Sequence, residues 1–325
     1  MAVLLVDDDP TVRLAVGRLV ERMGYTVTRA SDGEEAWDIV QQQHFPILIT
    51  DWFMPGMDGI DLVKHLRQQE SEHHAGAYTY IIALTGEDDP KLIKQGMDAG
   101  VDDFLFKHRA RQDLDMRLSA ARRIMSMHTD LQNSHARMRE DLEAAERVQR
   151  SLLPESPPGI PNLLAGWRMD ASAHLAGDLF NLFSIDEEHL GFYVLDVSGH
   201  GVAAALLATQ LSRLMIPDMS QSQVVKEPRE DAPWFRVVEP GEVFDRLNKS
   251  FPMSSRQMQF ITMFYGVINH RSLVLRYAGA GHPRPIAIGD ETRTLPFDDP
   301  PLGVKHGHSF TTHEVQMLPD ERLFV

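Results

Sequence analysis

AVLLVDDDPTVRLAVGRLVERMG, residues 2–24, runs from a short β-rich segment through three consecutive aspartates into an apolar-periodic segment. AVLLV (2–6) reads as a strand. Pro10 then opens a helix, Val12, Val16, Leu19, Val20 and Met23 recur at helical spacing, and Gly24 stops the run. The alternation repeats as YTVTRA and GEEAWDIVQQQ, PILIT and GIDLVKHLRQQ, YIIALT and PKLIKQGMDAG, and finally DDFLF and a long helix from about residue 110. Five such units predict an α/β domain with a doubly wound, five-stranded parallel sheet. Sheets of this kind bind ligands beyond the carboxyl ends of their strands.

Polar residues stand at those strand ends: Asp7 and Asp8 after the first, Asp51 after the third, Thr85 after the fourth and Lys107 after the fifth. Any one of them alone reads as a helix cap or a solvated loop residue. Together they predict a site, in which clustered carboxylates suit a hard, oxygen-liganded ion such as Mg²⁺. A hydroxyl and an ammonium opposite would hold a phosphoryl group.

LLVDDDP, DWFMPGMDG, ALTG and LFK, spread over residues 1–122, resemble the receiver domain of two-component response regulators. The resemblance implies that Asp51 is the phospho-acceptor and that a sensor histidine kinase is the partner. It implies that Asp7, Asp8 and Asp51 hold Mg²⁺ with the backbone carbonyl of Phe53, and that Thr85 and Lys107 bind phosphoryl oxygens. Phe104, three residues before the lysine, matches the aromatic that changes rotamer on activation. QQESEHHAGAYTY (68–80) is longer than usual for the family and reads as a surface insertion away from the site.

From Asp113 to Leu153 there is neither proline nor glycine. Leu114, Leu118, Ala121 and Met125, then Leu131, Met138, Leu142, Ala145 and Leu152, follow steps of three and four with a slip near His128. This spacing predicts a helical coiled-coil linker over 113–153 and a homodimer through it; a single amphipathic helix lying on one domain is the alternative. LLPESPPGIP ends the helix and puts the start of a third region at 154.

Residues 154–325 read as an α+β domain of antiparallel sheets flanked by helices. The predicted strands are GWRMDASA, GDLFNLFSI, LGFYVLDVS, FITMFYGVIN, SLVLRYAGAG, PIAIG and HSFTTHEVQML, and the predicted helices GVAAALLATQLSRLM and EVFDRLNKSF. Asp178 and Asp196 each stand at a strand end beside glycine, and a hairpin would bring them to one rim. Two carboxylates there suit Mn²⁺ or Mg²⁺, and a two-metal site can activate a water and clamp a phosphoryl oxygen.

AERVQRSLLP, AGDLFNLF, LDVSGHGVAAALLA, FITMFYGVI, YAGAGHPRPIAI, PPLGV and DERLFV follow the order seen in PPM-type metal-dependent serine/threonine phosphatases, in the bacterial branch that regulates stress and sporulation sigma factors. The resemblance covers roughly residues 145–325. It implies that Asp178, Asp196 and the backbone of Val197 are metal ligands, and that the substrate is a phosphorylated protein, an anti-sigma-factor antagonist. Two departures stand out. Asn181 occupies a position where the family has a second acid. The chain also ends at RLFV, where the family continues into further metal carboxylates, so the phosphatase domain reads as incomplete, with weak metal binding and little turnover expected. A degenerate domain that binds a partner when Asp51 is phosphorylated is the alternative function.

The chain has 32 basic and 47 acidic residues, a net charge of −15, and no basic patch, which argues against nucleic acid and anionic membrane as partners. No helix-turn-helix signal follows the receiver-like region, against a DNA-binding regulator. There is no cysteine, hence neither disulfide nor thiolate metal site, and neither a signal peptide nor an apolar span is visible; the chain reads as cytoplasmic. His73–His74 and His306/His308 read as solvated surface rather than ligands. Residues 224–242 read as a flexible loop.

Overall fold

The computed structural model describes residues 1–72, 78–86, 89–169, 175–232, 234–252 and 259–325. They fall into two compact units, Met1–Met138 and Arg139–Val325.

The first unit alternates β1 (Ala2–Val6), α1 (Pro10–Arg22), β2 (Thr26–Ala30), α2 (Gly33–Gln42), β3 (Ile47–Asp51), α3 (Gly59–Glu72), β4 (Tyr80–Thr85), α4 (Pro90–Ala99) and β5 (Asp103–Phe106), followed by the long α5 (Ala110–Arg150). The strands form one parallel sheet in the order β2-β1-β3-β4-β5. Its central strands are buried on both faces, which is why they read as unbroken apolar runs. Asp9 caps α1, its carboxylate accepting from Thr11 N–H at 2.7 Å, with Pro10 in the first turn. The third aspartate of the triplet is thus spent on the helix.

Val3, Leu5, Ile47 and Ile49 pack on one face of the sheet against Leu114, Leu118, Ala121 and Met125 of α5. This corrects the expected seam, because its first four positions are receiver core. A helix lying on a sheet and a helix in a coiled coil use the same three-four spacing, so the pattern alone does not separate them. Leu131 and Met138, farther along α5, are exposed.

The ends of the 68–80 stretch are anchored: α3 continues through Glu72, residues 73–77, with His73 and His74, lie outside the described residues, and Tyr78 docks. The Tyr78 hydroxyl donates to Asp102, the Arg67 guanidinium lies 4.7 Å from its ring centre, and the His128 ring of α5 lies 5.5 Å away. Arg67 also donates to Gly100 O at 3.0 Å and to Asp102 at 2.7 Å. Burial, with the Asp102 hydrogen bond adding to it, pushes the Tyr78 phenol up. Tyr78→Ala is expected to lower the stability of the receiver unit by about 1–3 kcal/mol, with Tyr78→Phe losing less, because the partly buried Asp102 loses a donor. Urea unfolding followed through the first transition measures it; equal stability of all three proteins would refute the anchor.

In the second unit, β6 (Leu179–Ser184), β7 (His189–Val197), α6 (Val202–Leu214), β8 (Lys226–Pro228), β9 (Phe235–Val237), α7 (Pro240–Ser250), β10 (Ile261–Asn269), β11 (Val274–Ala280), β12 (Ile286–Ile288), β13 (Thr292–Thr294), β14 (His313–Gln316) and β15 (Arg322–Phe324) follow one another. The main sheet has the order β14-β11-β10-β7-β6 and its pairings are antiparallel. Tyr193, Leu195, Val197, Met263 and Tyr265 face α6 and α7, while Phe264, Leu275 and Tyr277 face Ala287 of the small β13-β12-β15 sheet and Phe297. The strand expected at GWRMDASA is not formed over residues 166–169, and residues 170–174 lie outside the described set.

Residues 224–242 are not a plain loop. They form the β8–β9 hairpin, held by fully buried Val225 and Val238 and by Arg236 and Arg246, both of which pair with Glu227 and Glu242. The two valines supply most of the hold, since half-exposed ion pairs are individually weak.

Candidate functional site

The receiver site gathers at the carboxyl edge of the parallel sheet. Asp51, the last residue of β3, is 6% exposed; one carboxylate oxygen accepts from Trp52 N–H at 2.8 Å and the other from Lys107 Nζ at 2.7 Å. Lys107 Nζ also lies 3.1 Å from Asp7 Oδ2. Gly59 is required here, because a Cβ would stand 2.0 Å from Asp51 O. Thr85 is buried at the end of β4, which Trp52 N–H reaches through Leu84 O at 3.1 Å. Phe104 is packed inward, its ring 5.8 Å from that of Trp52. Phe53 is exposed.

Asp7, Asp8 and Asp51 offer carboxylate oxygens that all lie within 4.8 Å of one another. Asp7 Oδ2 is fully buried and faces the Lys107 ammonium. Burial, and then the charge of Asp51, raise the Asp7 carboxyl above the usual carboxylate range against the opposing pull of Lys107. Burial opposes charging of Lys107, but its hydrogen bonds to Asp51 and Asp7 win and hold the ammonium above its ordinary value. An all-oxygen cluster of three carboxylates, with one cation beside it, fits a hard divalent cation. Arg13, which the sequence reading passed over, donates to the backbone carbonyls of Asp7 and Asp8 and fixes this loop.

In the second unit the pairing Leu179↔Leu195 sets Asp178 directly across from Asp196 at the open end of β6 and β7. Gly177 permits this approach: its carbonyl accepts from Val197 N–H at 3.3 Å, and a Cβ there would lie 2.7 Å from Val197 O. Burial on the protein side, then the charge of Asp196 and a hydrogen bond to it, raise the Asp178 carboxyl. Two facing carboxylates, the charge of one raising the other, fit a divalent metal. Among the described residues no third carboxylate or histidine joins them within 4.8 Å.

Asn181 is explained by register. It shares a face with Leu179, opposite Tyr193, and its amide meets the Tyr193 hydroxyl on the helix side of the sheet. Asp178 lies on the other face, so an acid at 181 would not reach Asp196 from there. His308 accepts a structural role: its Nε2 pairs with Asp299 at 2.7 Å.

Three further residues, Thr262, His282 and Gln149, stand beside or behind the pair. Thr262 is in register with Asp196 on β10, and its hydroxyl lies 3.2 Å from His282 Nδ1. Burial lowers the His282 pKa against the pull of Asp196. Gln149, near the end of α5, clamps the residue before Gly177, donating to Ala176 O at 2.7 Å and accepting from Ala176 N–H at 3.1 Å. Gln149→Ala would leave both backbone groups without these partners. It is expected to weaken Mn²⁺ binding by about 10–100-fold, the usual cost of losing a support behind a ligand. Calorimetric titration with Mn²⁺ measures this; wild-type affinity would show that the clamp does not support Asp178.

Residues 3–119 match the family model "Response regulator receiver domain", and residues 186–325 match "Stage II sporulation protein E (SpoIIE)". Response regulator RppA of Synechocystis is 33% identical over 125 residues, 38% of this chain and 51% of that one. Response regulator MprA of Mycobacterium avium is 36% identical over 120 residues, 37% of this chain and 50% of that one. The chain thus spans about half the length of these two relatives. The chemotaxis protein CheY4 structure from Vibrio cholerae aligns at 32% identity with a TM-score of 0.34, covering 37% of this chain and 97% of that one. By the first family model, residues 3–119 are a response regulator receiver domain. More particularly, the chain joins a receiver domain to a PPM-class phosphatase domain of the SpoIIE family. No helix among the described residues is long and apolar enough to cross a membrane.

Proposed function

We propose that a sensor histidine kinase phosphorylates Asp51 and that this controls hydrolysis of phosphoserine or phosphothreonine on a protein, an anti-sigma-factor antagonist, at Asp178 and Asp196. The observation that carries this reading is the pair of oxygen clusters, Asp7/Asp8/Asp51 around Lys107 and Asp178/Asp196, one in each unit. In the receiver, a carboxylate oxygen of Asp51 attacks the phosphorus of the phosphohistidine, the P–N bond breaks, and imidazole leaves with a proton. Lys107 and the Thr85 hydroxyl receive the new phosphoryl oxygens. Asp7, Asp8, Asp51 and the Phe53 carbonyl would hold Mg²⁺, which would neutralise charge there; Asp178, Asp196 and the Val197 carbonyl would hold Mn²⁺ or Mg²⁺, which would activate water.

Domain limits of 1–122, 113–153 and 154–325 fit this reading, in cytoplasm. A homodimer through α5 is supported by a revised stripe: Ile124, Met127, Leu131, Met138 and Val148 are exposed at heptad-compatible spacing. Phosphate release from a phosphoserine peptide in Mn²⁺, with and without acetyl phosphate, tests the function. Turnover that responds to acetyl phosphate supports it. The second reading, a partner-binding module, is favoured by the gathering of only two carboxylates among the described residues; a phosphorylation-dependent complex without turnover would select it.

A further inference from the structure

Asp178 and Asp196 make their rim anionic, so a phosphoryl group brought there needs a hydrogen-bond donor besides any cation. His282 is placed to be one. It follows Gly281, whose left-handed backbone (φ 61°) and N–H bond to Asp299 O at 2.9 Å fix the chain after β11. The bridge between Met263 and Gly281 sets this segment beside β10. The ring is engaged at Nδ1 by Thr262, the residue in register with Asp196. It feels the Asp196 charge, yet its nitrogens do not join both carboxylates within 4.8 Å. It therefore stands beside the pair rather than in it. Its Nε2 makes no hydrogen bond among the described residues, and the side chain is partly open.

When the Thr262 hydroxyl donates to Nδ1, the ring proton sits on Nε2. We propose that His282, oriented by Thr262, is a substrate-binding residue whose Nε2–H donates to a phosphoryl oxygen held at the Asp178–Asp196 rim. The proposal rests on the phosphatase reading and adds to it a specific contact with the transferred group. Histidines on strand ends commonly serve only packing, so the test separates the two roles.

The probe is inorganic phosphate, titrated calorimetrically into the full chain saturated with Mn²⁺, with Mn²⁺ affinity measured separately. His282→Ala is expected to weaken phosphate binding about tenfold, the value of one hydrogen bond to a charged group, with Mn²⁺ affinity unchanged. His282→Gln, which keeps an amide N–H near the Nε2 position, should recover most of it, and Thr262→Val should lose part. Unfolding temperatures within a few degrees of wild type verify that each variant is folded. Wild-type phosphate affinity in His282→Ala overturns the proposal, as does an equal fall in Mn²⁺ affinity, which would make the imidazole a ligand or a structural group. If the unmodified chain takes up neither Mn²⁺ nor phosphate, the phosphatase reading itself fails.

Discussion

Asp51→Asn is expected to abolish phosphorylation by acetyl phosphate, from near-complete modification of the unaltered chain to none, seen by intact mass or phosphate-affinity electrophoresis. The side chain is almost fully buried and held by Trp52 N–H and Lys107. Asparagine retains an oxygen for Trp52 N–H but turns an amide N–H₂ toward Lys107 Nζ, two donors facing each other where a 2.7 Å charge-assisted bond stood. Lys107→Ala does the reverse and leaves Asp7 and Asp51 facing without their cation. Asp7 is already raised by burial and by Asp51, so its carboxyl holds a proton more readily folded than unfolded. Its contribution to stability is therefore present at low pH and declines as pH rises from its unfolded value, 3.8, through the folded one. Lys107→Ala should steepen that decline, and Mg²⁺ should reverse it increasingly as pH rises, because the ion competes with protons. Undiminished phosphorylation of Asp51→Asn, or stabilisation by Mg²⁺ that falls with pH, would remove Asp51 and its neighbours from the roles given them.

The receiver was legible because each polar residue sits one step past an apolar run, and parallel strands deliver all their carboxyl ends to one edge. The helix α5 was legible as a helix, and its partners were not: Leu114 and Leu118 face a sheet, while Ile124 and Met127 face outward, a difference that spacing does not encode. Asn181 reads as a lost ligand only while the sheet face is unknown, and the pairing with Tyr193 supplies that face. Tyr78, Gln149 and His282 act through residues 24, 27 and 20 positions away, respectively, in Asp102, Ala176 and Thr262. Such contacts leave no local periodicity in a single sequence.

Asp196→Ala is expected to bring Mn²⁺-dependent hydrolysis of an aryl phosphate down to the metal-free background, and to erase stabilisation by Mn²⁺ of the second unit. The reason lies in the pair. Asp178 is raised by burial, by the charge of Asp196 and by their shared hydrogen bond, so the metal-free unit loses stability as pH rises above 3.8 through the folded value and the proton leaves. A divalent cation replaces that proton, and its stabilisation grows with pH over the same window. Removing Asp196 lowers the Asp178 carboxyl toward its ordinary value, which makes the metal-free unit less sensitive to pH while leaving a single carboxylate that holds the ion weakly. Thermal unfolding across pH 4–8, with and without Mn²⁺, therefore reads the site even where turnover is low. A Mn²⁺ shift that survives in Asp196→Ala, or is flat with pH in the unaltered chain, would place the metal elsewhere and leave Asp178 and Asp196 as an ordinary cross-strand pair of acids.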